Sequence, residues 1–408
     1  FPRFSSSESL MSAERVLSGM RPTGSLHLGH YHGVIENWVR LQDNYECLFF
    51  VADWHALTTQ YDAPQNIAQA GRDMVIDWLA AGLDPEKAII FQQSQVLQHA
   101  ELHLLLSMMT PLGWLERVPT YKDQQEKLSH KDLSTYGFLG YPLLQSADIL
   151  VYDAKHVPVG EDQVPHIELT REVARRFNHL YGRTPEFEQE VIAALKKLGA
   201  TAKPYKELRQ RYQQEGDHEV LGQAEAFLAG AEALSTADKE SLWGWLVGSG
   251  KSILVEPAAL LTKASKMPGL DGQKMSKSYN NTISLRETPE DVAKKLKAMP
   301  TDPARIRRTD AGNPKNCPVW QLHEVYSDDA KKQWVTEGCT SAGIGCIDCK
   351  NAVAEGINVV LAPMRARAAE LAADPEKIDR ILRDGAQRAR ALADETMARV
   401  RAVMGLTG

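Results

Sequence analysis

The stretch RVLSGMRPTGSLHLGHYHGVIENWVRLQDNYECLFFVA, residues 15–52, decides the fold of this 408-residue chain. Its first residues, 15–19, predict a short β-strand that ends at a glycine. A turn with Pro, Gly and Ser follows at 20–25, and apolar residues at helical spacing predict a helix from about 28 to 41. The unbroken apolar run at 46–52 suits a strand that is buried on both faces. The stretch therefore predicts a strand–helix–strand unit of a parallel sheet.

The same alternation of strand and helix continues downstream. A helical pattern from about 63 to 81 ends at Gly82, and the run AIIFQ at 88–92 predicts a third strand. Strands that alternate with helices form doubly wound parallel sheets, whose ligands bind outside the carboxyl ends of the strands. We therefore predict an α/β fold with a doubly wound parallel-sheet (Rossmann-like) domain and a C-terminal all-helical domain.

The composition is that of an ordinary globular protein, with 43% hydrophobic and 25% charged residues. It excludes a collagen-like, coiled-coil or largely disordered chain. No apolar run approaches 18 residues and no signal peptide is visible, so we expect no membrane span. Five cysteines are too few for a disulfide scaffold, which favours the reducing cytoplasm.

The net charge of −6 gives no general preference for nucleic acid, but the charge is unevenly distributed. From residue 291 onward the chain carries 19 Lys and Arg against 16 Asp and Glu. A mildly basic C-terminal third can contact phosphates, although scattered charge more often belongs to a solvated surface.

The motif HLGH at 27–30 stands at the start of the first predicted helix, directly after the first strand. Free N–H groups and a partial positive charge at a helix N-terminus favour an anion. His27 and His30, one turn apart, add donors for a phosphoryl oxygen, and Gly29 leaves room for a ring against the backbone. The alternative is a pair of capping or surface histidines. The position of HLGH directly after the first strand favours a nucleotide site.

The second motif, KMSKS at 274–278, lies in the glycine-rich loop PGLDGQKMSKSYNNT far downstream. Two ammonium groups and two hydroxyls on a loop can follow negative charge as it develops in phosphoryl chemistry. The motif is weak alone, but it is highly specific in combination with HLGH upstream.

Together the two motifs resemble the "HIGH" and "KMSKS" signatures of class I aminoacyl-tRNA synthetases. The flanking sequence is similar to the tryptophanyl-tRNA synthetase family at 18–33 (SGMRPTGSLHLGHYHG), at 141–178 and at 382–406. The resemblance covers nearly the whole chain outside 1–10 and about 184–250. It implies activation of L-tryptophan with ATP and Mg²⁺, followed by transfer to tRNA(Trp), in a homodimer.

The resemblance also implies roles for individual residues. The residues that it places around ATP are Arg21, Thr23, Gly29, His30, Gly160, Glu161, Asp162, Lys274, Met275, Ser276, Lys277 and Ser278. Those that it assigns to catalysis are His27, His30, Lys122, Lys274 and Lys277. Those that it places around the amino acid are Gly19, His55, Tyr141, Asp148, Val159 and Gln163.

Asp148 is the key residue of the implied amino-acid pocket, because indole offers one donor and a fixed carboxylate accepts it. Two positions depart from the family pattern. Arg21 stands where Gln is frequent, which changes the expected contacts to the substrate carboxylate. Gln145 stands where an apolar residue is common, so the resemblance does not define this part of the pocket wall.

Four of the five cysteines, Cys317, Cys339, Cys346 and Cys349, fall within 33 residues. Four thiolates satisfy one tetrahedral metal ion or one iron–sulfur cube, and unligated thiols are the third alternative. Zinc usually takes two Cys-x2-Cys pairs, whereas this chain has one. The spacing resembles a subset of bacterial tryptophanyl enzymes that carry a [4Fe–4S] cluster beside the anticodon-binding region. Cys47, in an apolar run, is expected to be a buried structural thiol.

The domain organisation follows from these patterns. We expect a leader or cloning remnant at 1–10, the first part of the catalytic domain at 11–183 and a polar helical insertion at 184–250. The second part of the catalytic domain, with KMSKS, is expected at 251–288, and a helical anticodon-binding domain at 289–408. Three alternatives to a tryptophan enzyme stay open: a tyrosyl relative, a nucleotidyltransferase with the HxGH motif, and a silent RNA-binding paralogue.

Overall fold

The computed structural model of the chain describes residues 14–118, 134–261 and 267–406, apart from the side chain of Ser278. The predicted leader at 1–10 and Lys122 lie outside the described residues. The strands are β1 (Arg15–Met20), β2 (Glu46–Val51), β3 (Ala88–Gln92), β4 (His156–Val159) and β5 (Ala258–Leu261). No helix in the described ranges is long and apolar enough to cross a membrane.

The helices of the first half are α1 (Leu28–His30), α2 (Glu36–Leu41), α3 (Asp53–Gln60), α4 (Ile67–Ala80), α5 (Gln98–Ser107), α6 (Leu112–Glu116), α7 (Tyr136–Leu150) and α8 (Val164–Tyr181). Those of the second half are α9 (Pro185–Leu198), α10 (Ala202–Glu215), α11 (Val220–Ala229), α12 (Thr236–Val247), α13 (Pro289–Ala298), α14 (Pro318–Tyr326), α15 (Asp329–Thr340), α16 (Cys346–Ala372) and α17 (Pro375–Val403).

The five strands form one parallel sheet in the order β3-β2-β1-β4-β5. The direction of the strand order reverses between β1 and β4, which is the point where such sheets bind ligands. The doubly wound parallel fold is therefore confirmed. The first three strands begin and end within one residue of the predicted limits.

Both faces of the sheet are covered, as the unbroken apolar run in β2 predicts. Cys47, Phe49 and Val51 point into one core, whereas Leu48 and Phe50 point into the other. Cys47 is fully buried, and burial raises the pKa of its thiol to about 12. The fifth cysteine is therefore the inert structural thiol that the sequence predicts.

The predicted helix at 28–41 is continuous but contains a π-helical turn at Tyr31–Ile35 between α1 and α2. Hydrophobic spacing does not reveal this widened turn. Such turns are rare and frequently lie at functional sites. Here the turn begins directly after His30 of the HLGH motif.

Four helices, α9 to α12, occupy the predicted insertion and share a core of their own. Tyr205 is fully buried at its centre, and its hydroxyl donates to the carbonyl oxygen of Leu242 at 3.0 Å. The C-terminal helix α17 instead packs against strand β3. A Cβ atom at Gly385 would lie 1.9 Å from the carbonyl oxygen of Ile90, so only glycine allows this close crossing.

Candidate active site

The HLGH and KMSKS motifs lie beside each other because the segments next to them pair through their backbones. The amide of Leu28 donates to the carbonyl oxygen of Ile283 at 3.1 Å, and that of Leu285 donates to Leu26 at 3.0 Å. His27 and Ser284 form an antiparallel bridge between these bonds. Two motifs that are about 240 residues apart in sequence are therefore brought side by side.

The two histidines of HLGH cap the start of helix α1. The amide of Gly29 donates to Nδ1 of His27 at 3.1 Å, and the amide of His27 donates to Nδ1 of His30 at 3.3 Å. Burial, and to a lesser degree Lys277, lowers the pKa of His27 to about 4. Burial, and to a lesser degree the neighbouring His27 and Lys277, lowers the pKa of His30 to about 3. Both rings are therefore neutral at pH 7, and each Nε2–H is a donor.

Lys277 connects the KMSKS loop to the turn after β1. Its Nζ donates to the carbonyl oxygens of Thr23 and Gly24 at 3.1 and 2.9 Å. Burial lowers the pKa of this ammonium to about 8, although the carboxylate of Asp77 partly offsets the effect. The charge is held at the mouth of a cavity by neutral oxygens, so it remains available to an anion.

The cavity at this point has a volume of about 560 Å³ and lies where the strand order reverses. Its walls come from the turn after β1, from α1, from the end of β4 and from the KMSKS loop. It brings together eight of the predicted nucleotide residues: Thr23, Gly29, His30, Gly160, Lys274, Met275, Ser276 and Lys277. Within the described residues, Glu161 and Asp162 follow Gly160 on an exposed turn and line neither this cavity nor its neighbour.

A second cavity of about 430 Å³ adjoins the first and shares His30, Val159 and Gly160 with it. It contains every residue that the resemblance placed around the amino acid: Gly19, His55, Tyr141, Asp148, Val159 and Gln163. Arg21 and Gln145, the two departures from the family pattern, also line it. At Gly19 a Cβ atom would lie 2.4 Å from the ring of Phe50, so the close approach of that ring requires glycine.

Asp148 is held at the back of the second cavity by three side chains. Its Oδ1 accepts from Gln93 Nε2 at 2.8 Å and from His99 Nδ1 at 2.6 Å. Its Oδ2 accepts from His55 Nε2 at 2.7 Å. Burial alone would raise the pKa of Asp148, but His55 and His99 outweigh it and hold the pKa well below the usual range. The group is therefore a carboxylate at neutral pH.

Sequence reasoning missed Gln93, His99 and Tyr152, which support Asp148 from behind. Gln93 follows the carboxyl end of β3, where the parallel-sheet rule places functional side chains, so a signal for it was present. Nothing in the sequence pattern singles out His99 on α5 or Tyr152 after α7. Only the packing of these elements brings them together.

The four clustered cysteines line a separate cavity among the C-terminal helices. Cys317 precedes α14, Cys339 lies in α15, and Cys346 and Cys349 lie in the first turn of α16. Burial, together with the three neighbouring thiols, raises the pKa of Cys349 to about 12. Among the described residues, no group of three or more potential ligands is placed to hold a metal ion.

Cationic and donor groups surround this cavity. A guanidinium nitrogen of Arg305 lies 3.8 Å from Sγ of Cys339, and Nε2 of His323 lies 3.3 Å from Sγ of Cys349. The ammonium of Lys350 also lines the cavity and donates to the carbonyl oxygen of Lys297 at 2.8 Å. The cavity therefore combines four thiols with positive charge, which suits a bound group of net negative charge.

The parallel sheet, with paired HLGH and KMSKS motifs at its strand-order reversal, defines a class I aminoacyl-tRNA synthetase. The family model "tRNA synthetases class I (W and Y)" matches residues 11–206 and 223–362. A tryptophan–tRNA ligase of Ralstonia nicotianae is 63% identical over 97% of this chain and 100% of that protein. One from Thermotoga maritima is 43% identical over 96% and 99%.

The fold comparison agrees with the sequence comparison. The crystal structure of tryptophanyl-tRNA synthetase from Campylobacter jejuni, complexed with ADP and tryptophan, matches with a TM-score of 0.73 and 27% identity. The match covers 96% of this chain and 100% of that one. The chain belongs to the class I tRNA synthetases for tryptophan and tyrosine and, within them, to the tryptophan–tRNA ligases.

Proposed function

We propose that this ligase joins L-tryptophan and ATP in the two adjoining cavities to form tryptophanyl-adenylate and pyrophosphate, and then aminoacylates tRNA(Trp). The observation that carries the proposal is the buried carboxylate of Asp148 in the second cavity, next to the cavity with both motifs. A carboxylate has about four acceptor positions, and three are already used by His55, Gln93 and His99. One acceptor therefore remains, which suits the indole N–H because it is a donor only, whereas a phenol would also need a partner for its oxygen.

The reaction in this arrangement needs no covalent intermediate on the enzyme. The carboxylate of tryptophan attacks the α-phosphorus of ATP, one carboxylate oxygen bonds to phosphorus, and the bond to the pyrophosphate oxygen breaks. The protein therefore contributes position and charge stabilisation. The neutral rings of His27 and His30 donate to phosphate oxygens, and Lys274 and Lys277 hold the departing pyrophosphate, whose Mg²⁺ arrives with ATP.

We propose a part in this step for Arg21, which stands where Gln is frequent in the family. Its side chain lines the amino-acid cavity together with Tyr141. No acidic side chain among the described residues forms an ion pair with it. The guanidinium is therefore free to bind the carboxylate of tryptophan or the α-phosphate as the two approach.

The test of the complete function is aminoacylation of tRNA(Trp) transcript with radiolabelled tryptophan. Charging of tRNA(Trp), with no charging of tRNA(Tyr) by tyrosine, supports the proposal. Charging of tRNA(Tyr) with tyrosine would contradict the proposal and show that the protein acts as a tyrosyl-tRNA synthetase. Adenylate formation without any charging would separate the activation chemistry from tRNA recognition, which we assign to the mildly basic C-terminal helices. We place the reaction in the cytoplasm.

We further propose that Cys317, Cys339, Cys346 and Cys349 hold a [4Fe–4S] cluster. The four thiols line one cavity, and their spacing resembles that of the cluster-bearing subset. A four-iron cube spreads its cysteines over four corners, whereas zinc draws them around one centre. Arg305 and Lys350 supply positive charge for the net negative cluster. Such a cluster would brace the helices that follow the KMSKS loop.

Anaerobic purification is expected to give brown protein with about four iron atoms and four sulfide ions per chain. Cys346→Ser should lose most of this iron, because one corner of the cluster loses its thiolate. Cys47→Ser is the matched control, since that cysteine is buried in β2, and it should keep the iron. Colourless protein with one zinc ion per chain would contradict the cluster.

The dimer that the resemblance implies has a candidate surface at helix α5. Leu97, Leu104 and Met108 are 68%, 55% and 69% exposed, and their spacing places them on one helical face. Leu112, at the start of α6, is 56% exposed beside them in sequence. An apolar stripe of this kind on a globular protein favours a protein partner. We propose a second copy of this chain as that partner.

Leu104→Glu is expected to convert the dimer to a monomer, because it buries a charge at the centre of the stripe. Light scattering after size-exclusion chromatography measures the mass directly. Ile192→Glu is the matched control, since Ile192 is 54% exposed on the insertion helix α9, and it should leave the dimer intact. A monomeric unsubstituted protein at micromolar concentration would contradict this surface.

A further inference from the structure

The two oxygens of Asp148 have different surroundings. His55, which donates to Oδ2, lines the amino-acid cavity. Gln93 and His99, which both donate to Oδ1, do not line that cavity and are fully buried. Oδ1 therefore faces the protein interior, and Oδ2 is on the side of the amino-acid cavity.

The ring of His99 is fixed from both sides. Its Nδ1 contacts the carboxylate of Asp148, which can only accept, so this nitrogen carries the proton. Its Nε2 lies 2.6 Å from the hydroxyl of Tyr152, which is buried. Burial, and the nearby charge of Asp148, raises the pKa of Tyr152 well above its usual value, so the phenol keeps its proton. Nδ1–H of the ring donates to the carboxylate, and the phenol holds the ring at Nε2.

The amide of Gln93 is oriented by the same carboxylate. Its Nε2 donates to Oδ1 of Asp148, while its Oε1 is buried with no partner among the described residues. An unpaired buried carbonyl oxygen is unfavourable for folding. The amide of Gln93 nevertheless keeps its N–H on Asp148 and leaves its carbonyl oxygen unpaired.

We propose that Gln93, His99 and Tyr152 form a positioning clamp that occupies both acceptor positions of Oδ1 and leaves one acceptor, on Oδ2, for the indole N–H. The clamp rests on the proposed role of Asp148 as the residue that reads tryptophan. It fixes the orientation of the carboxylate, so that the free lone pair points into the cavity. These are positioning residues, since none of them lines the cavity that receives the substrate.

If these three residues only stabilised the fold, the selectivity for tryptophan would not depend on them. The clamp should increase the preference for tryptophan over an analogue of the same shape that lacks the indole donor. β-(Benzothiophen-3-yl)alanine is such a probe, because sulfur replaces the N–H. The measured quantity is the ratio of kcat/KM for tryptophan to kcat/KM for the analogue in ATP–pyrophosphate exchange.

Tyr152→Phe should lower this ratio about tenfold with an unchanged KM for ATP, because it releases the ring of His99 and leaves the aromatic packing in place. His99→Leu should lower the ratio further. His99→Asn should recover part of it, since its amide N–H can replace Nδ1–H. Tyr205→Phe is the matched control: it removes a buried tyrosine hydroxyl in the insertion core and should leave the ratio unchanged.

An unchanged ratio in folded Tyr152→Phe and His99→Leu, with both substrates equally affected, would overturn the clamp and leave Asp148 as the reader of indole. A ratio near one in the unsubstituted protein would overturn the role of Asp148 itself, and the clamp with it. The two failures are therefore distinguishable.

Discussion

Replacement of Lys277 by alanine is expected to slow tryptophan activation by about a hundredfold to a thousandfold, the loss that follows removal of one preorganised charge donor. Its ammonium lies at the mouth of the nucleotide cavity, on the carbonyl oxygens of Thr23 and Gly24. Neutral oxygens hold this charge only weakly, so the triphosphate can attract it as negative charge moves to pyrophosphate. The measurement is the rate of ATP–pyrophosphate exchange at saturating tryptophan.

The KM for tryptophan should stay within about threefold, because Lys277 does not line the second cavity. Lys294→Ala provides the control, since this lysine is exposed on α13 away from the motif and should exchange at the normal rate. Normal exchange by Lys277→Ala protein would show that Lys277 does not stabilise the departing pyrophosphate. Its role would then be limited to connecting the KMSKS loop to the turn after β1.

Asp148→Asn is expected to lower kcat/KM for tryptophan by about a thousandfold, with the KM for ATP nearly unchanged. The amide cannot accept from three donors and indole, because one of its two ends is itself a donor. A site that is built around a hydrogen bond loses much of its selectivity when that bond is lost. The analogue without the indole N–H should lose far less activity than tryptophan.

The stability of the variant must be measured beside its activity. Removal of the charge leaves His55, Gln93 and His99 as buried donors, which can cost about 3–5 kcal/mol of folding free energy. Asparagine preserves the volume and so limits this loss, and thermal unfolding of Asp148→Asn and Asp148→Ala shows whether each is folded. A folded Asp148→Asn enzyme with normal tryptophan kinetics would refute the assignment of indole to this carboxylate.

The sheet and the meeting of the two motifs were predictable because they depend on local patterns. The apolar run of β2, the turn after Gly19 and the HLGH motif each carry their own signal. The rule that parallel strands place ligands at their carboxyl ends then joined segments that are far apart in sequence. Most of the predicted site residues line one of the two cavities, whereas Glu161 and Asp162 line neither.

The support behind Asp148 was not predictable, because it is built from three elements that meet only in the folded chain. His99 lies on α5, Tyr152 follows α7 and Gln93 follows β3, and each by itself resembles an ordinary core or loop residue. The π-helical turn after His30 was hidden for a similar reason, since apolar spacing tolerates one wider turn. The close packing of α17 on β3 depends on Gly385, which gave no signal alone.

The most direct test of the account is ATP–pyrophosphate exchange with each of the twenty amino acids in turn. Asp148 offers one acceptor in a closed network, so we predict exchange with L-tryptophan and none above background with tyrosine or phenylalanine. Exchange with tyrosine would keep the class but contradict the assignment of the amino-acid cavity. Folded protein that exchanges with no amino acid would contradict the central claim that these two cavities form an aminoacyl-adenylate.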